Sequence, residues 1–530
     1  MRIKFFRQLS LYLYIMKYVT IIILMFHSLW LAAQTIIPSP ETIVQNRGEF
    51  QTKRQMTLFI EGIKPDCLTY LQNELLESVE LKQIIQKEIA NIQIITDADL
   101  TPEAYQLEIT PKHIEIKACG NEGFFYAMQS LRQLASTQNG SLIFPCLKIT
   151  DSPRIGFRSF LLDSGRQYQK VSTVKKYIDM AALLKMNYFH WHLTEGLGWR
   201  IEIKQYPHLT QTGSFVGKGR EQQGFYSQEE IKDIVKYAAE RCITIIPEID
   251  MPGHAEAALV AYPELGCFGD TIEVPENGFT KNIFCAGKTH TLDFLKNVLD
   301  EVCELFPSAY IHLGGDEAPK ENWDTCPDCQ QRIKQYNLKD SHDLQLWFAA
   351  TMADYLKTKG RKAIFWGDVV YHDGYPLPDN TIIHWWNWRG HKDKALREAI
   401  KRNLPVICGT NYYTYLNFPL TPWSGYEEQR TFDIKDVYTA NPSYIKEENP
   451  CILGMSCALW TDHGVTENMI DRRLFPRILA IAEQMWSRNE PDTFDTFYQK
   501  VNSKKDWFEK QGYIFGPGLK EEITSEFSWD

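Results

Sequence analysis

What most constrains this chain is an alternation that begins at the stretch "DSPRIGF" (151–157). Short runs rich in β-branched and aromatic residues recur at 157–163, 187–194, 242–249, 308–314, 362–367, 381–387, 405–409 and 451–460. Amphipathic helical patterns lie between most of them, such as "STVKKYIDMAALLKM", "SQEEIKDIVKYAAERC" and "HDLQLWFAATMADYLKTKG". Parallel strands need a crossover between each pair, and eight such strands in succession fit a closed (β/α)8 TIM barrel better than an open sheet. No glycine-rich phosphate fingerprint follows any strand. The stretch 411–450, rich in Tyr, Pro and Asn, lacks a helical period, which predicts a loop in place of the seventh helix. Ahead of the barrel, "QMTLFI" and "YQLEITPKHIEIKA" read as strands and "NEGFFYAMQSLRQLAS" as a helix. The expected organisation is therefore α/β throughout, with a small N-terminal α/β domain at 34–150 and the barrel at 151–530.

Residues 1–33 stand apart. Arg2, Lys4, Arg7 and Lys17 precede the apolar stretch Tyr18 to Leu31, and the small pair Ala32-Ala33 follows. That order is the pattern of a secretory signal peptide. Its apolar part is shorter than the roughly 20 residues that a spanning helix needs. The expectation is an exported protein, periplasmic or secreted, with no stable membrane anchor. A net charge of −10 argues against nucleic acid as a partner, since phosphate-backbone binders concentrate Lys and Arg. The sequence leaves the oligomeric state open.

Twelve cysteines in an exported chain permit disulfides. Cys326-Pro-Asp-Cys329 offers only two of the four ligands that zinc requires, and no second pair follows at finger-like spacing. A local disulfide or two free thiols is the expectation there, and Cys267 with Cys285 would close another span. No metal and no cofactor are expected.

In a barrel of this kind the chemistry sits at the C-terminal ends of the strands. Arg158 and Asp163 flank the first strand, and His190 and His192 end the second. Glu248 and Asp250 with His254 end the third, and Asp316-Glu317 follow the fourth. Trp366 and Asp368, Trp386 and Trp388, Tyr415 and Asn417, and Trp460 and Asp462 complete the ring. A mouth of carboxylates and indoles suits a sugar, which offers hydroxyls to acids and an apolar C–H face to aromatic rings. The Asp316-Glu317 pair follows a buried strand and two glycines, Gly314 and Gly315, whose freedom lets the backbone approach a ligand. His190 and His192 project from one strand face and could belong to a metal site or to a hydrogen-bonded wall; the wall is the simpler expectation.

The blocks "FRSFLLDSGRQY", "KMNYFHWHLTEGLGWRIEI", "IPEIDMPGHAEAAL", "HLGGDE" and "GMSCALWTDHGVTE" resemble glycoside hydrolase family 20, the exo-acting β-N-acetylhexosaminidases. The resemblance implies hydrolysis of terminal β-linked N-acetylglucosamine or N-acetylgalactosamine from glycans, with retained configuration and no metal. It also implies that the substrate's own 2-acetamido oxygen is the nucleophile, so that an oxazolinium intermediate forms. In that family Glu317 resembles the general acid, and Asp316 the carboxylate that orients the acetamide. Arg158 resembles the arginine of the distal hydroxyls, with Asp462 standing where a Glu commonly binds the outer ones. Tyr415 resembles the tyrosine on the acetamide oxygen, and Trp366, Trp388 and Trp460 the pocket walls. His254, Glu248 and His192 resemble supporting groups behind the acid pair.

Four positions depart from that pattern. Where the family often has two adjacent aspartates after the His-Leu-(Ser/Thr) segment, this chain has Glu195-Gly196. Gly196 thus replaces the carboxylate that usually supports the histidine, and Glu195 would compensate only by turning inward. Asp462 replaces a Glu, and Asn417 an Asp. The order of basic, apolar and small residues predicts cleavage near Ala33-Gln34. N-terminal sequencing of exported material should return Gln34 as the first residue.

Overall fold

The computed structural model describes residues 35–524, apart from 218–222, 389–390, 413, 423–430, 441–448, 463 and 490. Segment 1–33, read above as a signal peptide, lies outside the described residues. No helix among the described residues is long and apolar enough to cross a membrane. The chain divides into two units: residues up to Ser152 with Ser487–Gly512, and Pro153–Trp486 with the residues from Tyr513 onward.

The first unit is a mixed sheet with strands in the order 42–51, 141–151, 105–109, 114–118, 92–96, 55–61 and 80–83. Strands 105–109 and 114–118 show strict buried and part-buried alternation, as a half-buried sheet demands. Helix Asn121–Leu134 contributes a nearly continuous buried surface from Gly123 to Leu134. The expected barrel range of 151–530 needs one correction. Helix Phe494–Lys510 belongs to this first unit, where the buried Lys504 Nζ donates to the Gln133 carbonyl at 2.7 Å. A helix set after the last barrel helix reads from sequence as one more barrel element, and only its long-range partners reveal otherwise.

The second unit is the barrel. Its strands are β1 (Phe157–Asp163), β2 (Tyr188–His192), β3 (Thr244–Glu248), β4 (Tyr310–His312), β5 (Lys362–Trp366), β6 (Thr381–Trp385), β7 (Val406–Cys408) and β8 (Ile452–Leu459). They pair in parallel in that order, and β8 closes onto β1. Helices 171–183, 228–239, 289–305, 341–358 and 394–401 supply crossovers. The helix at Gln228 begins with a capping box in which Ser227 and Glu230 satisfy each other's backbone N–H groups. The expectation of a bare loop after β7 is corrected by the short helix Ile434–Ala440.

Inside the barrel, side chains fill in layers. The lower layer is apolar and contains Phe157, Ile246, Ile364, Ile382 and Ile407, with Tyr188 and Tyr310 packed against it. Above it the interior turns polar, with His190, His312 and His384 from the even-numbered strands. None of the twelve cysteines is joined in a disulfide. The suggested Cys267–Cys285 disulfide is absent, and both sulphurs lie in a cluster with Cys326 and Cys329.

Arg158 also needs correction. It is the second residue of β1, at the foot of the barrel, and is wholly buried. Its Nε donates to the Lys185 carbonyl at 2.8 Å and its Nη1 to the Ile155 carbonyl at 2.7 Å, while the guanidinium lies 5.1 Å from the Trp486 ring centroid. Five residue steps, roughly 16 Å of extended strand, separate it from Asp163 at the catalytic end. Replacing Arg158 with Met should cost about 2–4 kcal/mol by leaving buried carbonyls unpaired. The Michaelis constant should not change; denaturant unfolding beside steady-state kinetics checks both.

Candidate active site

The site is built upward from one buried carboxylate. Glu248 closes β3 and is fully buried. Its Oε2 lies 2.6 Å from His192 Nδ1 and 2.8 Å from His190 Nε2, the latter at an angle too poor for a hydrogen bond. Its Oε1 accepts from Trp366 Nε1 at 2.8 Å and lies 3.1 Å from His312 Nδ1. Burial alone would raise the Glu248 pKa, but the surrounding His312, His192 and His190 hold it well below the usual carboxylate range. His190 behaves oppositely: burial outweighs Glu248 and pushes its pKa down to about 4, leaving it neutral. His192 is thus hydrogen-bonded into this wall, while neutral His190 packs on the His312 ring at 4.5 Å.

Glu195 extends this network to the mouth. It sits in the tight Thr194–Glu195/Gly198–Trp199 ladder after β2 and is buried. Its Oε2 lies 3.2 Å from His192 Nε2 and 3.2 Å from Arg166 Nη2, and its Oε1 is 2.8 Å from His254 Nδ1. The side chain does turn inward, so the extra methylene bridges the space that the replaced aspartate left. Gly196 cannot contribute: a Cβ there would fall 1.9 Å from the Gly278 carbonyl oxygen. Burial would raise the Glu195 pKa, yet Arg166 and His254 hold it well below the usual range. For His254, burial favours the neutral ring, but Glu195, Asp316 and Asp250 more than offset it, and its pKa stands well above the ordinary value.

His254 carries the network to the acid pair. Its Nε2 lies 3.7 Å from both Asp316 Oδ2 and Glu317 Oε2. The two glycines before the pair take the left-handed backbone, φ 64° at Gly314 and 98° at Gly315. A Cβ on Gly314 would lie 1.7 Å from Asp250 Oδ1, the atom that accepts the Gly315 N–H at 3.2 Å. Glu317 itself has φ 45°, a costly conformation for a side-chain-bearing residue, and its N–H donates to Asp368 Oδ1 at 3.3 Å. The paired acids then differ sharply in setting. Glu317 is half exposed, whereas Asp316 is largely enclosed and its Oδ1 is buried with no hydrogen-bond partner. Burial, with Asp250 beside it, raises the Asp316 pKa well above the usual range despite His254.

Aromatic rings enclose the space beyond. Trp366 stacks on His384 at 4.3 Å and stands 5.8 Å from Trp460. The ring parallel to buried Tyr415, 6.4 Å away at 12°, is Trp386, whose Nε1 donates to Asp368 Oδ2 at 2.7 Å. Trp388, the tryptophan singled out from sequence, stands against Tyr412 and Trp385 instead. Both indoles follow the sixth strand in sequence, and the choice between them depends on how the chain leaves β6.

The larger revision concerns arginine. Arg166, three residues past the end of β1, bonds Asp163 Oδ2 at 3.1 Å as well as Glu195, and its guanidinium lies 5.1 Å from the Trp460 ring centroid. It occupies the mouth, where Arg158 cannot reach. The signal was available in the sequence, since Arg166 follows the strand and Arg158 opens it. Nearby, two of the departures meet: Asn417 Nδ2 donates to Asp462 Oδ1 at 3.1 Å, leaving Asn417 Oδ1 buried and unpartnered.

A barrel with an unequal acid pair after β4, a carboxylate–imidazole network behind it and indoles opposite is a glycoside hydrolase architecture. The particular family follows from comparison. The model for the catalytic domain of glycosyl hydrolase family 20 matches residues 156–489, and that for domain 2 of the same family matches 33–152. The chain belongs to glycosyl hydrolase family 20. It is similar to the crystal structure of a β-N-acetylhexosaminidase from Bacteroides fragilis NCTC 9343, at 62% identity and a TM-score of 0.90, over 94% of this chain and 100% of that one. A Vibrio harveyi exo-β-N-acetylglucosaminidase in complex with N-acetylglucosamine is 28% identical with a TM-score of 0.82, over 92% and 79% of the two chains. A Porphyromonas gingivalis β-hexosaminidase is 35% identical over 509 residues, 88% of this chain and 62% of that relative's length.

Replacing Glu195 with Gln should lower the pH at which His254 loses its proton, because the strongest charge favouring the imidazolium is removed. The stability that charged His254 contributes is full below the unfolded histidine value of 6.5 and is lost as pH rises through the folded value. Glu195, with its folded pKa lowered, contributes fully above the unfolded value of 4.5, so the variant should lose most stability between pH 4.5 and 6.5. Histidine NMR titration and pH-dependent unfolding read the two effects.

Proposed function

We propose that the protein is an exo-acting, retaining β-N-acetylhexosaminidase that releases terminal β-linked N-acetylglucosamine or N-acetylgalactosamine through an oxazolinium intermediate. One observation carries the reading: a buried, unpartnered carboxylate oxygen on Asp316 stands beside a half-exposed Glu317. A carboxylate waiting for a donor suits the acetamido N–H, and an exposed neighbour suits a leaving group bound for solvent.

In this mechanism Asp316 Oδ1 accepts the acetamido N–H, and the Tyr415 hydroxyl donates to the acetamido oxygen. That oxygen attacks C1 as the bond to the leaving oxygen breaks, and Glu317 gives its proton to the leaving group. The ring nitrogen of the oxazolinium carries positive charge, which favours the ionised form of Asp316 opposite it. Glu317, now a carboxylate, removes a proton from the water that opens the ring at C1, which restores the acid and retains the configuration. His254 and Glu195 hold the pair from behind. Trp366, Trp386 and Trp460 wall the acetamide and the sugar face, while Arg166, Asp462 and the free oxygen of Asn417 meet the distal hydroxyls. Export through the leader at 1–33 would bring this chemistry to extracellular or periplasmic glycans.

Replacing Glu317 with Gln should slow hydrolysis of natural glycosides by roughly two to four orders of magnitude, the usual worth of a general acid. Aryl glycosides with good leaving groups should lose much less. Replacing Asp316 with Asn should slow both and weaken a thiazoline analogue of the intermediate. An enzyme-bound ester formed on a 2-fluoro sugar, with the thiazoline inert, would exclude the mechanism.

A further inference from the structure

The cysteine cluster lies outside the machinery described above. Cys267 and Cys285 come from the long segment after β3, and Cys326 and Cys329 from the segment after β4. All four are buried, and their sulphurs lie within 4.8 Å of one another. Three of the separations are 3.5 Å (Cys285–Cys329), 3.8 Å (Cys285–Cys326) and 3.9 Å (Cys267–Cys329). A disulfide would bring a pair to about 2.05 Å. Four sulphurs around a zinc ion, each about 2.3 Å from it, stand roughly 3.8 Å apart along the edges of a tetrahedron. The observed spacing is that of the tetrahedron.

The surroundings fit a bound ion. Gly287 is required, because a Cβ there would fall 2.2 Å from Cys329 N; the backbones of the two segments touch beside the sulphurs. The N–H groups of Gly287 and Lys288 donate to the Cys285 sulphur. Cys326 caps the helix Pro327–Gln335, which places Cys329 in its first turn, where the helix dipole favours a thiolate. A divalent ion with four thiolates carries two negative charges, and two cations adjoin the cluster. Lys288 Nζ donates to the Gly266 carbonyl at 2.6 Å, and Arg332 Nη2 to the Gly287 carbonyl at 2.8 Å.

We propose that Cys267, Cys285, Cys326 and Cys329 form a tetrathiolate structural site for one zinc ion, which clamps the segment after β3 to the segment that carries the acid pair. Binding releases the four thiol protons and forms four zinc–sulphur bonds, with no change in oxidation state. Other contacts run beside the clamp: Trp323 Nε1 donates to the Phe284 carbonyl at 3.0 Å and Asn322 Nδ2 to Asn282 Oδ1 at 3.0 Å. The same β3 segment sets Phe279 5.9 Å from the His254 ring. The ion thus supports the acid pair from outside and touches no reacting atom. The sequence reading counted two ligands in the Cys-Pro-Asp-Cys turn and took them for a disulfide or free thiols; the second pair arrives from the preceding crossover.

Elemental analysis of the full chain, produced in zinc-containing medium without a metal-affinity tag and then dialysed, should find one zinc per chain. Titration with a mercurial should release that zinc as four thiols react. Cys326→Ser/Cys329→Ser should reduce zinc to background and lower the melting temperature, while Cys303→Ser, outside the cluster, should keep full occupancy. Should the double variant fail to fold, the zinc content of the unaltered chain still decides. Absence of metal with four titratable thiols, disulfides among these residues in non-reduced peptide maps, or one iron in place of zinc would each overturn the proposal.

Discussion

The barrel mouth depends on the charge of Glu248. Its carboxylate is taken wholly out of water at the end of β3, where an ion without partners would be very costly. It persists because β2, β4 and β5 each turn a nitrogen toward it: the imidazoles of His190, His192 and His312 and the indole of Trp366. One acid thereby fixes the rotation of side chains on three other strands. His192 transmits the constraint to Glu195, and Glu195 passes it to Arg166 and His254. The acid pair is held at the end of a chain of alternating carboxylates and imidazoles that begins in the barrel interior.

That alternation sorts protonation states. His190 and His384 stand among other imidazoles, and burial outweighs the nearby Glu248 at both, driving them toward neutrality. His192 and His254 lie between carboxylates and keep their protons despite burial. Asp250, held by the Gly315 N–H, is pushed up to about 7 by burial, with Glu248 adding to the effect and His254 opposing it. Asp316 is raised well above the usual range, and its buried Oδ1 has no hydrogen-bond partner. The differences follow from how many opposite charges each group meets, since all are comparably removed from solvent.

Much of this was legible in the sequence because it is periodic or local. The eight strands fall within a residue or two of the runs of β-branched and aromatic residues, and Asp316-Glu317 announces itself by following a buried strand and two glycines. What was misread depended on direction or on distance along the chain. Arg158 and Arg166 share one short block, and only their positions relative to the strand's two ends separate them. Trp386 and Trp388 both follow β6, and the exit of the chain from that strand decides between them. Helix Phe494–Lys510 carries no mark of the sheet it joins. The Asn417–Asp462 bond joins two positions that the sequence presents as unrelated departures.

The Glu195-Gly196 pair bears on how such a sequence can change over time. The space a side chain at 196 would need is filled by the Gly278 backbone, itself in a left-handed conformation with φ 76°. An aspartate introduced at 196 would meet that carbonyl before it could reach the histidine, and shortening Glu195 alone would detach His254 and Arg166 together. Positions 195, 196 and 278 are consequently interlocked, and no single substitution converts Glu195-Gly196 into a working pair of aspartates. Each exchange made alone meets a clash or strips Glu195 of two partners, so the three positions can change only in concert.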